Sequence, residues 1–207
     1  LGQWVRGVDE VIDVVTGHEA CPRHVATRVA EHFVADADLD AELVTRLADR
    51  FRDADLRIGP MLDELLHDDA VLHPTAQRSR SGLEWYLALV RLVGADRSDD
   101  WDVWPLDQLG QMPMVPPNVA GWPGESRWTS AGAILTKGQM ALNGSWDADT
   151  LSDTDPVGDV LRRAVLYEVD PVTRRALDRL AREVEGRRDR STVLHAAVAM
   201  SPEFSLT

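Results

Sequence analysis

The chain is poor in cysteine and in long apolar runs, and each shortage excludes a class of protein. A single cysteine among 207 residues cannot form an internal disulfide, so the fold does not depend on an oxidising compartment. No apolar stretch approaches the roughly 20 residues that a membrane-spanning helix needs, and the best candidate, 83–93, carries Glu84 and Arg91. We therefore expect no membrane span, while cytoplasmic and exported or envelope-associated locations both stay open.

Positive charge is also scarce. The chain has 22 basic against 35 acidic residues, which gives a formal net charge of −13. A polyanion would be repelled by this field, so we expect no nucleic acid partner. Arginine outnumbers lysine twenty-one to one, a ratio that we ascribe to genome composition rather than to function.

Helical periodicity dominates what is there. Apolar residues recur every fourth position from Leu39 to Phe51, and charged residues occupy the opposite face. Asp155-Pro156 and Asp170-Pro171 have the pattern of an N-cap carboxylate followed by proline in the first turn. These patterns predict an all-α fold, an irregular multi-helix bundle forming a single domain over 1–207. Besides 39–51, the predicted helices are 4–15, 23–34, 58–66, 82–93, 106–109, 130–142, 157–168, 172–184 and 193–200.

Two stretches interrupt the helices. Residues 111–128 combine prolines with tryptophans, which predicts a long ordered loop, because linkers are rarely so aromatic. Residues 143–155 are rich in Gly, Ser, Thr and Asp, and this composition is typical of a flexible connection.

The loop carries a family resemblance. Its residues 109–124 read Leu-Gly-Gln-Met-Pro-Met-Val-Pro-Pro-Asn-Val-Ala-Gly-Trp-Pro-Gly and are followed by Trp128. This stretch closely resembles an uncharacterised bacterial family called domain of unknown function eighteen hundred. The helix at 23–33, the segment 80–84 and the closing Ser-Pro-Glu-Phe at 201–204 are similar too, so the resemblance covers most of the chain except about 143–188. Arg28 stands where a lysine is commoner in the family, and Gly82 where proline is.

The resemblance implies a helical fold but no chemistry. Family members are usually considerably longer, so it implies that these residues are the C-terminal part of a larger protein. It also implies a protein partner, a candidate being a secreted sulfatase-like protein encoded nearby.

The Pro-Pro-Asn-Val-Ala-Gly-Trp-Pro segment of the loop has two interpretations. Prolines stiffen it, Asn118 offers donors and acceptors, and Trp122 and Trp128 could present flat faces to a sugar ring or a peptide proline. Alternatively, Trp122 packs into the helical core and Asn118 bonds to the backbone of its own loop. Both interpretations stay open at this point.

The segment from Arg80 to Glu84 is also ambiguous. Ser81 and Glu84 have the spacing of a capping box, which is the favoured interpretation. The sharper hypothesis is a buried ion-pair cluster of Arg28, Arg80 and Glu84 beside the loop, polarised enough to bind a ligand.

Signatures of a catalytic or metal centre are missing from the sequence. The acidic run 36–40 has Ala41 where a calcium loop needs glycine and Leu47 where it needs glutamate. We therefore predict no metal and no cofactor. The best-supported function is a helical binding or assembly module of a larger protein, with the loop as its surface. The alternative is an envelope hydrolase, or the accessory half of one, with catalytic groups partly outside these residues.

Overall fold

A computed structural model describes residues 2–94, 104–122, 124 and 127–206. These residues form α-helices and short 3-10 helices, and their one β-type pairing is the isolated antiparallel bridge between Ser79 and Leu206. The predicted all-α class is confirmed. No helix within these ranges is both long and apolar enough to cross a membrane.

The chain divides into two compact units, Leu1–Arg78 and Ser79–Thr207, where the sequence predicted a single domain. The first unit holds a core of apolar side chains from α2 (Cys21–Phe33), α3 (Ala41–Asp53) and α4 (Ile58–Leu66), in which Leu47 and Met61 are fully buried. Asp40 caps α3 by accepting from the Leu43 amide at 2.7 Å. The α-helices of the first unit are α1 (Val8–Thr16), α2 (Cys21–Phe33), α3 (Ala41–Asp53), α4 (Ile58–Leu66) and α5 (Asp69–Leu72).

The core of the second unit takes its largest share of buried apolar side chains from α6 (Gly82–Val93), and α9 (Pro156–Arg163) and α11 (Arg187–Ala199) supply further ones. Trp85 and Phe204 meet edge to face inside it, with ring centres 6.2 Å apart. Short 3-10 helices occupy Ser145–Asp147 and Glu203–Ser205. The α-helices of this unit are α6 (Gly82–Val93), α7 (Trp104–Gln108), α8 (Ala131–Gly144), α9 (Pro156–Arg163), α10 (Pro171–Glu183) and α11 (Arg187–Ala199).

The end of α9 and the start of α11 differ from the predicted helix boundaries. We expected a helix over 157–168, but α9 ends at Arg163 because Val165 adopts φ +60° and the Leu166 amide turns back to the Leu161 carbonyl at 2.9 Å. Glycine usually marks such a helix end, and valine gives no such signal. The helix predicted over 193–200 begins earlier, at Arg187, directly after Gly186 with φ +83°.

The stretch 143–155, expected to be a flexible connection, is held by specific contacts. It contains the end of α8 and the 3-10 helix Ser145–Asp147. Leu151 is buried; its amide donates to Ser191 Oγ at 2.9 Å, and its carbonyl accepts from the Arg187 guanidinium. Composition alone could not reveal an apolar anchor that depends on a helix forty residues away.

Candidate functional site

The Pro/Trp-rich loop begins with a tight helix end. The Gly110 amide donates to Asp107 at 2.8 Å and the Gln111 amide to Leu106 at 2.8 Å, so the chain reverses out of α7. This reversal places Gly110 at φ +72°, a conformation that glycine adopts without steric cost. The loop therefore leaves α7 in a defined direction.

The first residues of the loop are bound to the start of α6. Gln111 Oε1 accepts from the Leu83 amide at 2.7 Å, which satisfies one of the unpaired first-turn amides of that helix. A Cβ atom on Gly82 would lie 3.0 Å from the Leu109 Cβ atom, so only glycine allows the two segments this close. Gly82, which departs from the family pattern, thus has a packing reason here.

The segment from Arg80 to Glu84 forms the predicted capping box. Ser81 Oγ accepts from the Glu84 amide at 3.3 Å, and Glu84 Oε2 accepts from the Ser81 amide at 2.8 Å. Arg80 extends away from this cap: its guanidinium donates to the Phe204 carbonyl at 2.9 Å, and its Cζ lies 5.1 Å from the centre of the Phe204 ring. Capping is therefore confirmed, and Arg80 joins the cap to the C-terminal Ser-Pro-Glu-Phe segment.

The tip of the loop exposes apolar side chains on a constrained backbone. Asn118 Oδ1 accepts from the Ala120 amide at 2.8 Å, so this side chain stabilises its own turn, as one of the two interpretations held. Met114 has φ +65° although it is not glycine, and its side chain is 91% exposed. Val115 and Val119 are exposed as well. Holding an apolar residue in this strained conformation costs of order 1–3 kcal/mol, and such strain clusters at functional sites.

A cavity of about 810 Å³ lies within this loop. Trp122 lines it and is only half-buried, although its Nε1 atom is inaccessible to water and has no acceptor among the described residues. Three loop residues, Pro123, Glu125 and Ser126, lie outside the part that the structure describes. The other residues lining the cavity are Asp107, Gly110, Met112, Val115, Pro117, Asn118, Ala120, Gly121 and Arg127.

Comparison with known families gives a match over almost the whole chain, the loop included. The family model described as Protein of unknown function (DUF1800) matches residues 2–206. The chain belongs to this family. The match also includes 143–188, which the motif resemblance left out. No curated protein and no solved structure is similar enough to match the chain.

The remaining predicted site residues of this DUF1800 chain are Trp128, in the second unit, and Arg28, in the first. Trp128 is 5% exposed and packs in the interior of the second unit, so its ring is not the exposed flat face that the recognition hypothesis required. Arg28 lies on α2 in the first unit, where its guanidinium is about half exposed and pairs with Glu31 at 2.7 Å. This pair lies within α2, and the cluster of Arg28, Arg80 and Glu84 stays a hypothesis.

Lys137 is the polar residue of this DUF1800 chain that sequence reasoning missed. It lies in α8, is 5% exposed, and donates from Nζ to the Trp128 carbonyl at 3.1 Å. Burial, and then repulsion from Arg80, lower the pKa of Lys137 below its ordinary value. The residue types gave no signal of this burial, because it depends on the contact between α8 and the Trp128 carbonyl.

The described residues of the DUF1800 chain contain no group of three or more His, Cys, Asp or Glu side chains arranged to hold a metal ion. The groups that the described part of the loop presents are exposed apolar side chains, the side-chain amide of Asn118 and the guanidinium of Arg127.

Proposed function

We propose that this chain is a protein-binding module that docks a partner's polypeptide on the loop 111–122. The observation that carries the proposal is the exposure of Met114, Val115 and Val119, together with the left-handed backbone conformation of Met114. Apolar side chains usually gain free energy by leaving water, and a stiff loop loses little conformational entropy when a partner covers it. Both features favour binding over a role in packing the chain's own core.

Trp122 supports the same proposal. A buried N–H without an acceptor costs about 1–3 kcal/mol, and Trp122 Nε1 is in this position among the described residues. A small shift of the loop that brings a partner's backbone carbonyl against this N–H would remove the cost. Tryptophan in a cavity is also a frequent anchor of protein interfaces.

A polypeptide fits the loop better than a sugar or a nucleic acid does. Sugar sites combine a flat exposed aromatic face with several polar groups, and here Trp128 is buried while Asn118 is engaged with Ala120. Nucleic acid would be repelled by the net charge of −13. The first partner to test is the secreted sulfatase-like protein that the family resemblance implies is encoded nearby.

The test is isothermal titration of that purified protein, and in parallel of proline-rich peptides and cell-wall glycan fragments, against three forms of the chain. The forms are the wild type, Val115→Asp in the loop and Val172→Asp on α10, two valines that are each 65% exposed. We expect Val115→Asp to weaken protein binding about tenfold or more, because a buried charge costs at least 1.4 kcal/mol, and Val172→Asp to leave it unchanged. Equal loss in both variants, or heat of binding from the glycans alone, would contradict the proposal.

A further inference from the structure

The only lysine of the chain is buried, and no acidic side chain among the described residues pairs with it. Lys137 Nζ donates to the Trp128 carbonyl and lies 5.7 Å from the centre of the Trp85 ring. Both partners are uncharged, and the charge that acts on Lys137 is the positive charge of Arg80. Lysines are almost never buried unless a negative group pairs with them. No described residue supplies such a group to Lys137.

A cavity of about 220 Å³ adjoins this lysine. Trp128, Lys137 and Ala199 line it and are buried, so they form its floor. Ile134 and Met200 also line it and are about half exposed, which places them at the mouth. The cavity is therefore open to solvent at one end and carries the lysine at the other.

The cavity lining combines hydroxyl groups with apolar side chains. Thr129, Ser201 and Ser205 provide the hydroxyls, and Ile134 and Met200 provide apolar surface. A volume of 220 Å³ is below the usual range of about 300–1,000 Å³ for sites of drug-sized ligands. The ligand that suits this lining is small, with one charged end and one apolar end.

We propose that this cavity binds a small monocarboxylate with a short apolar tail, whose carboxylate pairs with the Lys137 ammonium. The carboxylate supplies the negative charge that no described residue gives to Lys137, and the tail lies between Ile134 and Met200. Inorganic phosphate carries the charge but gains nothing from the apolar mouth. No residue of the loop 111–122 lines this cavity, so the carboxylate proposal and the partner-binding proposal can each fail without the other.

The single lysine makes the test direct, because lysine-selective ¹³C labelling gives one Cε signal, that of Lys137, in the NMR spectrum. The labelled chain is titrated with propionate and isobutyrate at constant ionic strength, with propionamide as the uncharged analogue and phosphate as the anion without a tail. We expect a saturable shift with both carboxylates, half-complete at roughly millimolar concentration as suits so few heavy atoms, and no saturable shift with propionamide.

Two neighbouring residues of α8 give matched variants that keep the lysine. Ile134→Trp fills the mouth of the cavity and should raise the propionate concentration at half-saturation at least tenfold. Leu135→Trp, at an exposed position that does not line the cavity, should leave it unchanged. In Lys137→Met the stabilisation of the fold by propionate, measured as a shift in Tm, should disappear.

Three outcomes would overturn the proposal. The first is a Cε signal that does not respond to either carboxylate. The second is a shift with propionamide or phosphate that is as strong as the shift with propionate. Alternatively, Ile134→Trp responds to propionate with the wild-type half-saturation, which would place the anion outside the cavity.

Discussion

The Arg80 guanidinium holds the C-terminal Phe204 from two directions, donating to its carbonyl at 2.9 Å and lying 5.1 Å from the centre of its ring. The two residues are 124 positions apart in the chain. This link brings together the cap of α6, the Ser-Pro-Glu-Phe segment and the buried Lys137, on which Arg80 acts electrostatically. The link thus joins three parts of the second unit that are distant from one another in the chain.

Replacing Arg80 by methionine should therefore have two effects. Loss of the charged hydrogen bond and of the cation–π contact should lower the free energy of unfolding by about 1–3 kcal/mol, measured by urea denaturation. The pKa of Lys137 should rise, because one of the two causes that lower it is repulsion from Arg80. The midpoint of the Lys137 Cε titration reports this second effect, and a midpoint that stays constant or falls would refute the electrostatic link. Arg175→Met on the exposed side of α10 is the control.

Gly82 should not tolerate a side chain. In Gly82→Ala the new Cβ atom would lie 3.0 Å from Leu109 Cβ and 3.3 Å from the Leu109 carbonyl oxygen, so the start of the loop must shift. We expect a loss of about 1–3 kcal/mol in the free energy of unfolding. Gly132→Ala on α8 is the matched control, since nothing lies within 4 Å of its Cβ position. Alanine there should be neutral or stabilise by up to about 1 kcal/mol, and equal behaviour of the two variants would refute the packing explanation.

Replacing the two tryptophans Trp122 and Trp128 should have different effects on the free energy of unfolding. Trp128→Ala removes a side chain that is 5% exposed and should cost about 3–5 kcal/mol. Trp122→Phe keeps an aromatic ring but deletes the N–H that has no acceptor among the described residues. It should leave the free energy of unfolding unchanged or raise it by about 1 kcal/mol. Thermal and urea unfolding of both variants provide the measurement. A strongly destabilised Trp122→Phe would show that the N–H is satisfied within the chain.

His195 should make the second unit sensitive to mild acid. Its ring is fully buried; Nδ1 lies 2.7 Å from the Ser191 carbonyl and so carries the proton, while Nε2 has no partner among the described residues. Burial is the main cause that lowers the pKa of His195 below 6.5. The neutral form is therefore favoured in the folded state, while the unfolded chain takes up a proton near pH 6.5.

The stability contributed by His195 is therefore fully present above about pH 6.5 and is lost as the pH falls toward the pKa of the folded state. The free energy of unfolding then changes by at most about 1.4 kcal/mol per pH unit from this group. The measurement is the free energy of unfolding between pH 5.0 and 7.5 for the wild type and for His195→Leu. The variant should show a shallower decline, since the carboxylates titrate in both proteins and cancel in the comparison. Parallel curves would contradict the role of His195.

Local chemistry made much of the helical framework predictable. The apolar residues at every fourth position from Leu39 to Phe51 determine which face of α3 is buried. The Asp155-Pro156 and Asp170-Pro171 pairs mark where α9 and α10 begin. The Ser81 and Glu84 capping box was recognisable for the same reason. Each of these features depends on residues within a turn or two of one another, so the sequence carries the whole interaction.

The loop was predictable as a segment but not as a surface. Prolines and tryptophans indicated an ordered stretch, yet nothing in their types distinguished the buried Trp128 from the half-buried Trp122. The difference is tertiary: Trp128 is buried where Lys137 of α8 binds its carbonyl, whereas Trp122 lines an open cavity. The end of α9 at Arg163 was missed for a related reason, since Val165 adopts a left-handed backbone conformation without the glycine that usually signals it.

By itself, then, the sequence determined the helical class, most helix positions and their caps, because hydrogen bonds and apolar spacing within a helix are short-range. Only the tertiary structure decided that Arg80 binds Phe204, that Gly82 packs on Leu109, and that Lys137 is buried beside a cavity with no carboxylate partner among the described residues. These contacts join distant parts of the chain, and their energies depend on burial and on neighbouring charge, which exist only once the helices have packed.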